Sequence, residues 1–229
     1  MSKAVVLLSG GLDSVVSLAL IKEYCTDILA LTFNYKQKSF EKEAAAAKKI
    51  AEFYNAEHII IDISWLGRFS MSALTSSKDI PDINSNDLDN KEIAEQTAKS
   101  VWIPNRNGLF VNIAACYAEA LKYDLIVIGA NKEESATFKD NSINFINSIN
   151  NALSNSTDFN VKVISPIINK TKKEIVADGI RLNIPFNLVY SCYNSGELHC
   201  GHCESCKRFI RALKENNRQD IIDKIFNKG

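Results

Sequence analysis

Short apolar runs that alternate with helical patterns restrict the fold of this chain most strongly. The apolar runs predict strands at 4–8, 27–33, 57–63 and 124–128, and the patterns that follow them predict helices at about 14–24, 39–55 and 107–121. Strands that are apolar throughout are buried on both faces, as in parallel sheets covered by crossover helices. The sequence therefore predicts an α/β, doubly wound, mainly parallel sheet that binds ligands at the carboxyl ends of its strands.

Two later segments add to this core. Residues 70–100 are rich in Ser, Asp and Asn and have little apolar periodicity, which predicts a long loop of the kind that covers active sites. A further strand near 161–164 precedes Thr171 and Glu174, whose spacing suits a capping box at the start of another helix.

Charge and composition favour no macromolecular partner. The 27 basic residues balance the 27 acidic ones, whereas nucleic-acid binders usually show a basic excess, so we expect no nucleic-acid partner. No apolar run approaches the roughly 20 residues that span a bilayer. The first strand at 4–8 follows no basic leader. We expect a cytoplasmic protein with no membrane partner.

Residues 9–14, Ser-Gly-Gly-Leu-Asp-Ser, lie between the first predicted strand and its helix. Glycines let backbone N–H groups approach an anion, the Ser9 and Ser14 hydroxyls add donors, and the helix N-terminus adds positive potential. The alternative is a plain strand-to-helix turn capped by Asp13. The segment matches neither a Walker loop nor a Gly-x-Gly-x-x-Gly fingerprint. It therefore predicts a phosphate site of another type.

This segment resembles the PP-loop of the ATP pyrophosphatases, whose Ser-Gly-Gly-x-Asp-Ser pattern it matches at every position. The resemblance implies a protein that grips the β and γ phosphates of ATP and transfers AMP to an oxygen nucleophile. It also implies that Asp13 helps to hold Mg²⁺ with pyrophosphate, which neutralises charge on the leaving group. The nucleotide contacts that it implies are Leu8, Ser9, Gly10, Gly11, Leu12, Asp13 and Ser14.

Later segments resemble one branch of that superfamily, the 7-cyano-7-deazaguanine synthases. Tyr35 and Gln37 resemble a Tyr-Gly-Gln element in which Lys36 replaces the glycine, and residues 103–107 resemble Val-Pro-Ala-Arg-Asn with Asn105 for the alanine. Further matches lie at 166–168, 171–175, 191–193, 196–198 and 200–206. The resemblance covers nearly the whole chain.

The resemblance implies a ligase that converts 7-carboxy-7-deazaguanine and ammonia to 7-cyano-7-deazaguanine, the precursor of the queuosine and archaeosine base. The carboxylate and then the amide are adenylated, and AMP and pyrophosphate are released. The implied cofactors are ATP, Mg²⁺ and a structural Zn²⁺. The implied partners are the deazapurine, ammonia and, as in many members, a second copy of the chain.

The resemblance also assigns site residues. The catalytic set is Asp13, Arg106 and Lys172, and Tyr35 and Gln37 join the nucleotide contacts. The substrate set is Arg106, Asn107, Asn131, Ser135, Phe138 and Asp140.

Plainer interpretations of four of these residues stay open. Arg106 suits an anion but is otherwise a surface arginine, and Lys172 suits phosphates but is otherwise a solvated lysine. Asn107 is otherwise an N-cap, and Phe138 stacks on a heterocycle or belongs to the core.

One segment departs from the family's pattern. Residues 131–142 keep Asn131, Ser135 and Asp140 but lack the family's glycine, proline, cysteine and arginine. Because this segment follows the strand at 124–128, we expect it to line the substrate crevice. The departure leaves open a variant acceptor base, or a reaction that stops at the amide.

Four of the six cysteines crowd into the C-terminal segment: Cys192, Cys200, Cys203 and Cys206. Four thiolates suffice for a closed tetrahedral zinc site, which would be structural. The same spacing also occurs in ferredoxins, so an iron–sulfur cluster is the alternative, and the resemblance favours zinc. We expect His199 and His202 to be exposed rather than ligands. These features predict an ATP-binding domain at 1–185 and a zinc-binding segment at 186–229.

Two other functions remain as alternatives. One is another PP-loop enzyme, such as a tRNA sulfurtransferase or a lysidine-type synthetase, against which the neutral charge counts. The other is a zinc-stabilised nucleotide-binding module without catalytic activity.

Overall fold

A five-stranded parallel sheet forms the centre of the protein, and the computed structural model describes residues 2–227. The strands are β1 Ser2–Leu7, β2 Cys25–Asn34, β3 Glu57–Asp62, β4 Leu125–Val127 and β5 Lys162–Ile164. They pair in the order β3-β2-β1-β4-β5, with every pair parallel. This order confirms the predicted doubly wound sheet, with the first strand at its centre.

Helices connect the strands and cover the sheet. They are α1 Leu12–Lys22, α2 Phe40–Phe53, α3 Trp65–Phe69, α4 Lys91–Val101, α5 Arg106–Leu121, α6 Ile143–Leu153, α7 Lys172–Arg181, α8 Glu204–Glu215 and α9 Gln219–Ile225. Short 3-10 turns lie at Ser85–Asp87, Glu134–Ala136, Lys139–Asn141 and Phe186–Leu188. Val5 and Val6 of β1 point to opposite faces and are both fully buried. The sheet is therefore covered on both sides, as its apolar strands predict.

The prediction of a long loop at 70–100 is only partly right. Its second part forms α4, whose first N–H groups are capped by the Asn90 side chain. Only Ala94, Thr97, Ala98 and Val101 of this helix are buried. Because two of the four are small and one is polar, the apolar period is weak in the sequence.

Helix α6 is missing from the predicted elements for a similar reason. Its apolar residues Ile143, Ile146, Ile149 and Leu153 have helical spacing, but asparagines and serines, which form helices poorly, separate them. By contrast, the predicted capping box is confirmed at α7, where the Thr171 hydroxyl and the Glu174 carboxylate each accept a backbone N–H.

The cysteine-bearing C-terminal segment packs on the sheet domain. Helix α8 contacts α7, and the Tyr190 N–H donates to the Gly10 carbonyl at 2.9 Å. The division at residue 185 stays a prediction. No helix within residues 2–227 has the length and apolar character needed to cross a membrane.

Two departures from the family's sequence pattern fall at left-handed backbone positions. Lys36, which replaces a glycine, has φ of 69°, and Asn105, which replaces an alanine, has φ of 51°. Asparagine tolerates this region better than other residues with a Cβ, whereas lysine does not. Lys36 is therefore strained, and Asn105 suits its place.

Replacing Lys36 by glycine is expected to stabilise the protein by about 1 kcal/mol, because glycine adopts the left-handed region without a steric penalty. For a chain of this length, that raises the melting temperature by roughly 2–4 °C. Lys48→Gly is the control, since Lys48 is an exposed lysine inside α2 and glycine there costs about 1 kcal/mol. Thermal unfolding measures both variants, and a shift in the same direction for both would contradict the argument.

Candidate active site

A cavity opens at the carboxyl ends of β1, β2 and β4, beside the N-terminus of α1. Doubly wound folds bind their ligands at this edge. The predicted site residues that line it are Leu8, Ser9, Gly11, Leu12, Asp13, Ser14, Tyr35, Gln37, Arg106, Asn107, Phe138 and Asp140. The fold thus collects into one cavity residues that are more than 100 positions apart in the sequence.

Gly10 lies on the side of residues 9–14, the phosphate loop, that faces helix α2. It is not among the residues that line the cavity. Its φ is +79°, and a Cβ there would lie 2.9 Å from the Ala46 Cβ, the Ala47 nitrogen and the Glu43 carbonyl oxygen. Any larger residue would collide with the backbone of α2 and adopt a strained conformation. Glycine at this position lets the loop lie against α2.

Hydrogen bonds inside the loop fix its curvature. The Ser14 hydroxyl donates to the Gly11 carbonyl at 2.9 Å, and the Ser9 N–H donates to the Ser14 hydroxyl oxygen at 3.2 Å. Gly11 is the N-cap of α1 and has no side chain to cap it, and the Asp13 carboxylate pairs with Lys172 instead. Asp13 therefore does not cap α1, and the first turn of α1 is suited to an anion.

Lys172 lies buried between two carboxylates beside the loop. Its ammonium contacts Asp13 and donates to Glu134 Oε1 at 2.8 Å. Burial opposes its charge, but the two carboxylates outweigh burial and raise the pKa of Lys172 above its usual value. Burial also opposes ionisation of Glu134, whose pKa the Lys172 ammonium nevertheless lowers. Lys172 is thus a buried, paired cation, and the solvated interpretation is wrong.

Asp13 has an oxygen to spare for a cation. Burial raises the pKa of this carboxyl to about 6, although Lys172 acts in the opposite direction. Among the described residues, nothing donates a hydrogen bond to its buried Oδ1 atom. Buried carboxylate oxygens without a donor are costly, and hard cations such as Mg²⁺ take such oxygens as ligands. The Oδ1 atom of Asp13 is therefore suited to bind a divalent cation at the loop.

Arg106 lies inside the cavity, so the surface interpretation is wrong. Its NH1 group donates to the Tyr35 hydroxyl at 3.3 Å, and its guanidinium lies 5.6 Å from the centre of the Tyr35 ring and 5.9 Å from that of Phe110. Burial raises the pKa of Tyr35 to about 12, so the phenol stays neutral beside the cation. Arg106 is a fixed positive charge that can bind an anionic group.

Asn107 and Asp140 join the start of α5 to the loop after β4. The Asn107 N–H donates to Asp140 Oδ2 at 3.2 Å, and its side-chain amide donates to the Asp140 carbonyl at 3.2 Å. The residue at the N-cap position of α5 is Asn105, so Asn107 is not the N-cap. Burial raises the pKa of Asp140, while Arg106 opposes the rise.

Gln37 braces the end of β2. Its amide donates to the Phe33 carbonyl at 3.0 Å and to Glu43 at 2.9 Å, and its oxygen accepts the Tyr35 N–H at 3.0 Å. Gln37 thereby holds Tyr35, and through it Arg106, in the cavity wall.

Two predicted substrate residues do not line the cavity. Asn131 is fully buried, and its Oδ1 atom accepts the N–H groups of Glu133 and Glu134 at 3.1 and 3.0 Å. The Ser135 hydroxyl donates to the Lys132 carbonyl. Asn131 therefore positions Glu134, which does line the cavity. Phe138 lines the cavity as well and is only partly buried, so it is not a core residue.

Ser191 reaches the phosphate loop from the C-terminal segment, and its hydrogen bond to the loop was not predicted. Its hydroxyl oxygen accepts the Leu12 N–H at 2.9 Å. The Ser205 hydroxyl donates to the Ser191 carbonyl at 2.7 Å, and the Ser191 N–H donates to His199 at 2.9 Å. A serine next to a predicted metal ligand carries no sequence signal for this contact, because it spans 179 positions.

Glu133 is a second unpredicted residue, and it ties Lys172 to helix α8. Its Oε1 atom accepts a hydrogen bond from the backbone N–H of Lys172 at 2.7 Å. Its Oε2 atom accepts hydrogen bonds from the guanidinium groups of Arg208 at 3.0 Å and Arg211 at 3.4 Å. The carboxylates at 133 and 134 follow a predicted strand, which is a signal that could have found them.

The four cysteines converge as predicted. Their sulfur atoms all lie within 4.8 Å of one another, and those of Cys200 and Cys206 are 3.8 Å apart. Thiolates on one tetrahedral ion with bonds of about 2.3 Å lie about 3.8 Å apart. The donor set therefore fits one tetrahedral ion.

The two histidines of the segment differ, and the expected exposure of His199 is wrong. His199 is 2% exposed, and its two ring nitrogens contact the Ser191 N–H and, at 3.0 Å, the Ile225 carbonyl. It packs against Tyr190 and Phe226, so it is a core residue that supports Ser191. His202 is exposed and pairs with Asp82.

The doubly wound parallel sheet and its Ser-Gly-Gly-x-Asp-Ser loop define a PP-loop-type α/β protein. The chain belongs to the family described as "Queuosine biosynthesis protein QueC", which matches residues 3–217.

Relatives extend over nearly the whole chain. The chain is 48% identical over 211 residues to a 7-cyano-7-deazaguanine synthase of Desulforamulus reducens, with 92% of each chain covered. It is 43% identical over 222 residues to a 7-cyano-7-deazaguanine synthase of Methanosphaera stadtmanae, with 96% of this chain and 97% of that one covered. Among solved structures, NMN synthetase from Francisella tularensis has 17% identity and a TM-score of 0.48, over 100% of this chain and 89% of that one.

Removing the ion that the four thiolates would hold, with a strong chelator, is expected to speed amide hydrogen exchange at residues 9–14 by roughly five- to tenfold. The reason is that Ser191 loses its fixed position and the Leu12 N–H loses a hydrogen bond. Mass spectrometry measures exchange, and elemental analysis measures the metal before and after. Strand β2 is the control for global unfolding. Unchanged exchange at 9–14 after the metal is lost would contradict the coupling.

Proposed function

We propose that the protein is a 7-cyano-7-deazaguanine synthase, which converts 7-carboxy-7-deazaguanine and ammonia to 7-cyano-7-deazaguanine with two molecules of ATP. The observation that carries the proposal is membership of a family whose relatives bear that name, among them one that is 48% identical over most of the chain. The phosphate loop, beside a cavity that contains the Arg106 guanidinium, supports it.

The proposed reaction has two adenylation stages. A carboxylate oxygen of the acceptor attacks the α-phosphorus of ATP and pyrophosphate leaves, after which ammonia displaces AMP and loses a proton to give the amide. The amide oxygen then attacks the α-phosphorus of a second ATP and pyrophosphate leaves; AMP departs with that oxygen and the nitrogen loses both of its protons, which gives the nitrile. Each ATP converts a poor oxygen leaving group into a good one.

The phosphate loop holds the β and γ phosphates in this proposal. The N–H groups in the first turn of α1 are the donors offered to the anion, and the Ser9 and Ser14 hydroxyls brace the loop through their own hydrogen bonds. Asp13 Oδ1 would hold Mg²⁺, which neutralises charge on pyrophosphate when bound. Lys172, kept charged by Asp13 and Glu134, offsets part of their negative charge beside the same phosphates.

Arg106 binds the acceptor's carboxylate in this proposal. The guanidinium is fixed by Tyr35 and flanked by Phe110, so the reacting oxygen is held rather than left to diffuse. The aromatic wall also limits water, which would otherwise hydrolyse the acyl-adenylate.

The four-cysteine site would hold zinc, a structural ion that shapes the C-terminal segment against the loop. We further propose, on the family resemblance, a cytoplasmic homodimer that uses ammonia as its nitrogen donor. The two ions would then have separate roles. Zinc would hold Ser191 in place, and Mg²⁺ would neutralise charge on the phosphates.

Incubation with ATP, Mg²⁺, ammonium and 7-carboxy-7-deazaguanine is expected to release AMP and a product of the nitrile's mass. Mass spectrometry separates the nitrile from the amide and so also decides whether the variant segment 131–142 stops the reaction early. The control replaces the acceptor with unmodified tRNA. AMP release with tRNA but not with the deazapurine would make another PP-loop activity the right one.

Asp13→Asn is expected to abolish AMP release and to leave melting temperature and metal content unchanged, because Lys172 keeps Glu134 as its partner.

In the wild-type protein, kcat/KM for ATP should fall as the pH drops through about 6, by roughly tenfold per pH unit below it. The sign follows because only the ionised carboxylate binds a cation. Substantial turnover by Asp13→Asn would refute this role.

A further inference from the structure

Trp102 and Phe138 form an aromatic pair in the cavity. Their ring planes are within 11° of parallel, and their centroids are 6.2 Å apart. Both side chains line the cavity and both are partly exposed. Partly exposed apolar rings inside a binding cavity offer a surface that a planar ligand can cover.

A second pair in the same cavity shows the contrast. Phe33 and Phe110 are stacked at 4.1 Å with an angle of 6°, which is a closed contact. The Trp102 and Phe138 centroids are 6.2 Å apart, a distance at which offset-stacked rings touch, whereas a planar ligand held between two parallel rings requires about 7–8 Å between their planes. The two rings must therefore move apart to admit a ligand. They belong to different segments, after α4 and after β4, so a small shift of either one widens the gap.

Polar groups beside the pair match one kind of heterocycle. Asp140, two residues after Phe138, is buried and lines the cavity. A carboxylate only accepts hydrogen bonds, and a guanine-type edge offers two adjacent N–H donors, whereas an adenine edge alternates donor and acceptor. The Asn107 backbone and side chain bind Asp140, which brings the Arg106 cation close to it.

We infer that Trp102 and Phe138 clamp the deazaguanine ring of the acceptor, with Asp140 at its guanine-type edge and Arg106 at its carboxylate. This inference rests on the proposed function. It adds Trp102, which no sequence pattern indicated, as a residue that determines which base is accepted. It also gives the altered segment 131–142 a task, since Phe138 and Asp140 both lie in it.

Intrinsic fluorescence tests the clamp without turnover. The chain has two tryptophans, and the other, Trp65, is 49% exposed on α3, so Trp65→Phe leaves Trp102 as the single indole reporter. Adding 7-carboxy-7-deazaguanine should quench its emission in a saturable way, and ATP alone should not. Quenching by ATP but not by the deazapurine would assign the pair to adenine and overturn the inference.

Kinetics with matched variants gives the second test. Trp102→Leu should raise KM for the acceptor by roughly 10- to 100-fold and leave KM for ATP unchanged, as expected for the loss of one stacked ring. Trp102→Phe should retain most of the affinity, and Trp65→Leu, the same change at an exposed position, should change neither constant. Thermal unfolding checks the fold of each variant.

The two proposals fail in different ways. Wild-type turnover together with an unchanged acceptor KM in Trp102→Leu would overturn the clamp and leave the enzyme activity standing. No AMP release by the wild type with the deazapurine would overturn the proposed function itself. If Trp102→Leu does not fold, the fluorescence titration and Trp102→Phe decide.

Discussion

The contact between Gly10 and helix α2 is the constraint on which the arrangement of the site depends. The loop lies so close to α2 that no side chain fits between them. From the other side, the Tyr190 N–H holds the Gly10 carbonyl. Held between two segments, the loop starts α1 in one direction and puts Asp13 within reach of Lys172. A local turn thus becomes a site because remote segments fix its position.

Charge is arranged in advance in the same way. Asp13 and Glu134 exceed Lys172 by one negative charge, which suits a divalent cation that arrives with a polyphosphate. Because the ammonium is already paired and the loop donors are already oriented, little reorganisation is needed when an anion binds. Glu133 extends this network, because it accepts hydrogen bonds from Arg208 and Arg211 of helix α8 in the cysteine-bearing segment. The C-terminal segment is therefore part of the site rather than an addition to it.

Much of the fold could be predicted because it depends on local patterns. Largely apolar strands such as 27–33 predict a buried parallel sheet, and the capping box at Thr171 predicts a helix. Helices α4 and α6 were not predicted, because small and polar residues lie among their apolar ones and weaken the helical pattern. His199 was misjudged because its partners, Ser191 and Ile225, come together only in the folded chain.

By itself, the sequence determined the sheet, the phosphate loop and the set of four thiolates, since each is a pattern of neighbouring residues with a short-range physical meaning. Only the tertiary structure decided that Ser191 completes the loop across 179 positions, that Lys172 meets Asp13 across 159, and that Asn131 and Ser135 stay out of the cavity. The reason is physical. A hydrogen bond or an ion pair depends on distance in space, and the path of the whole chain sets that distance.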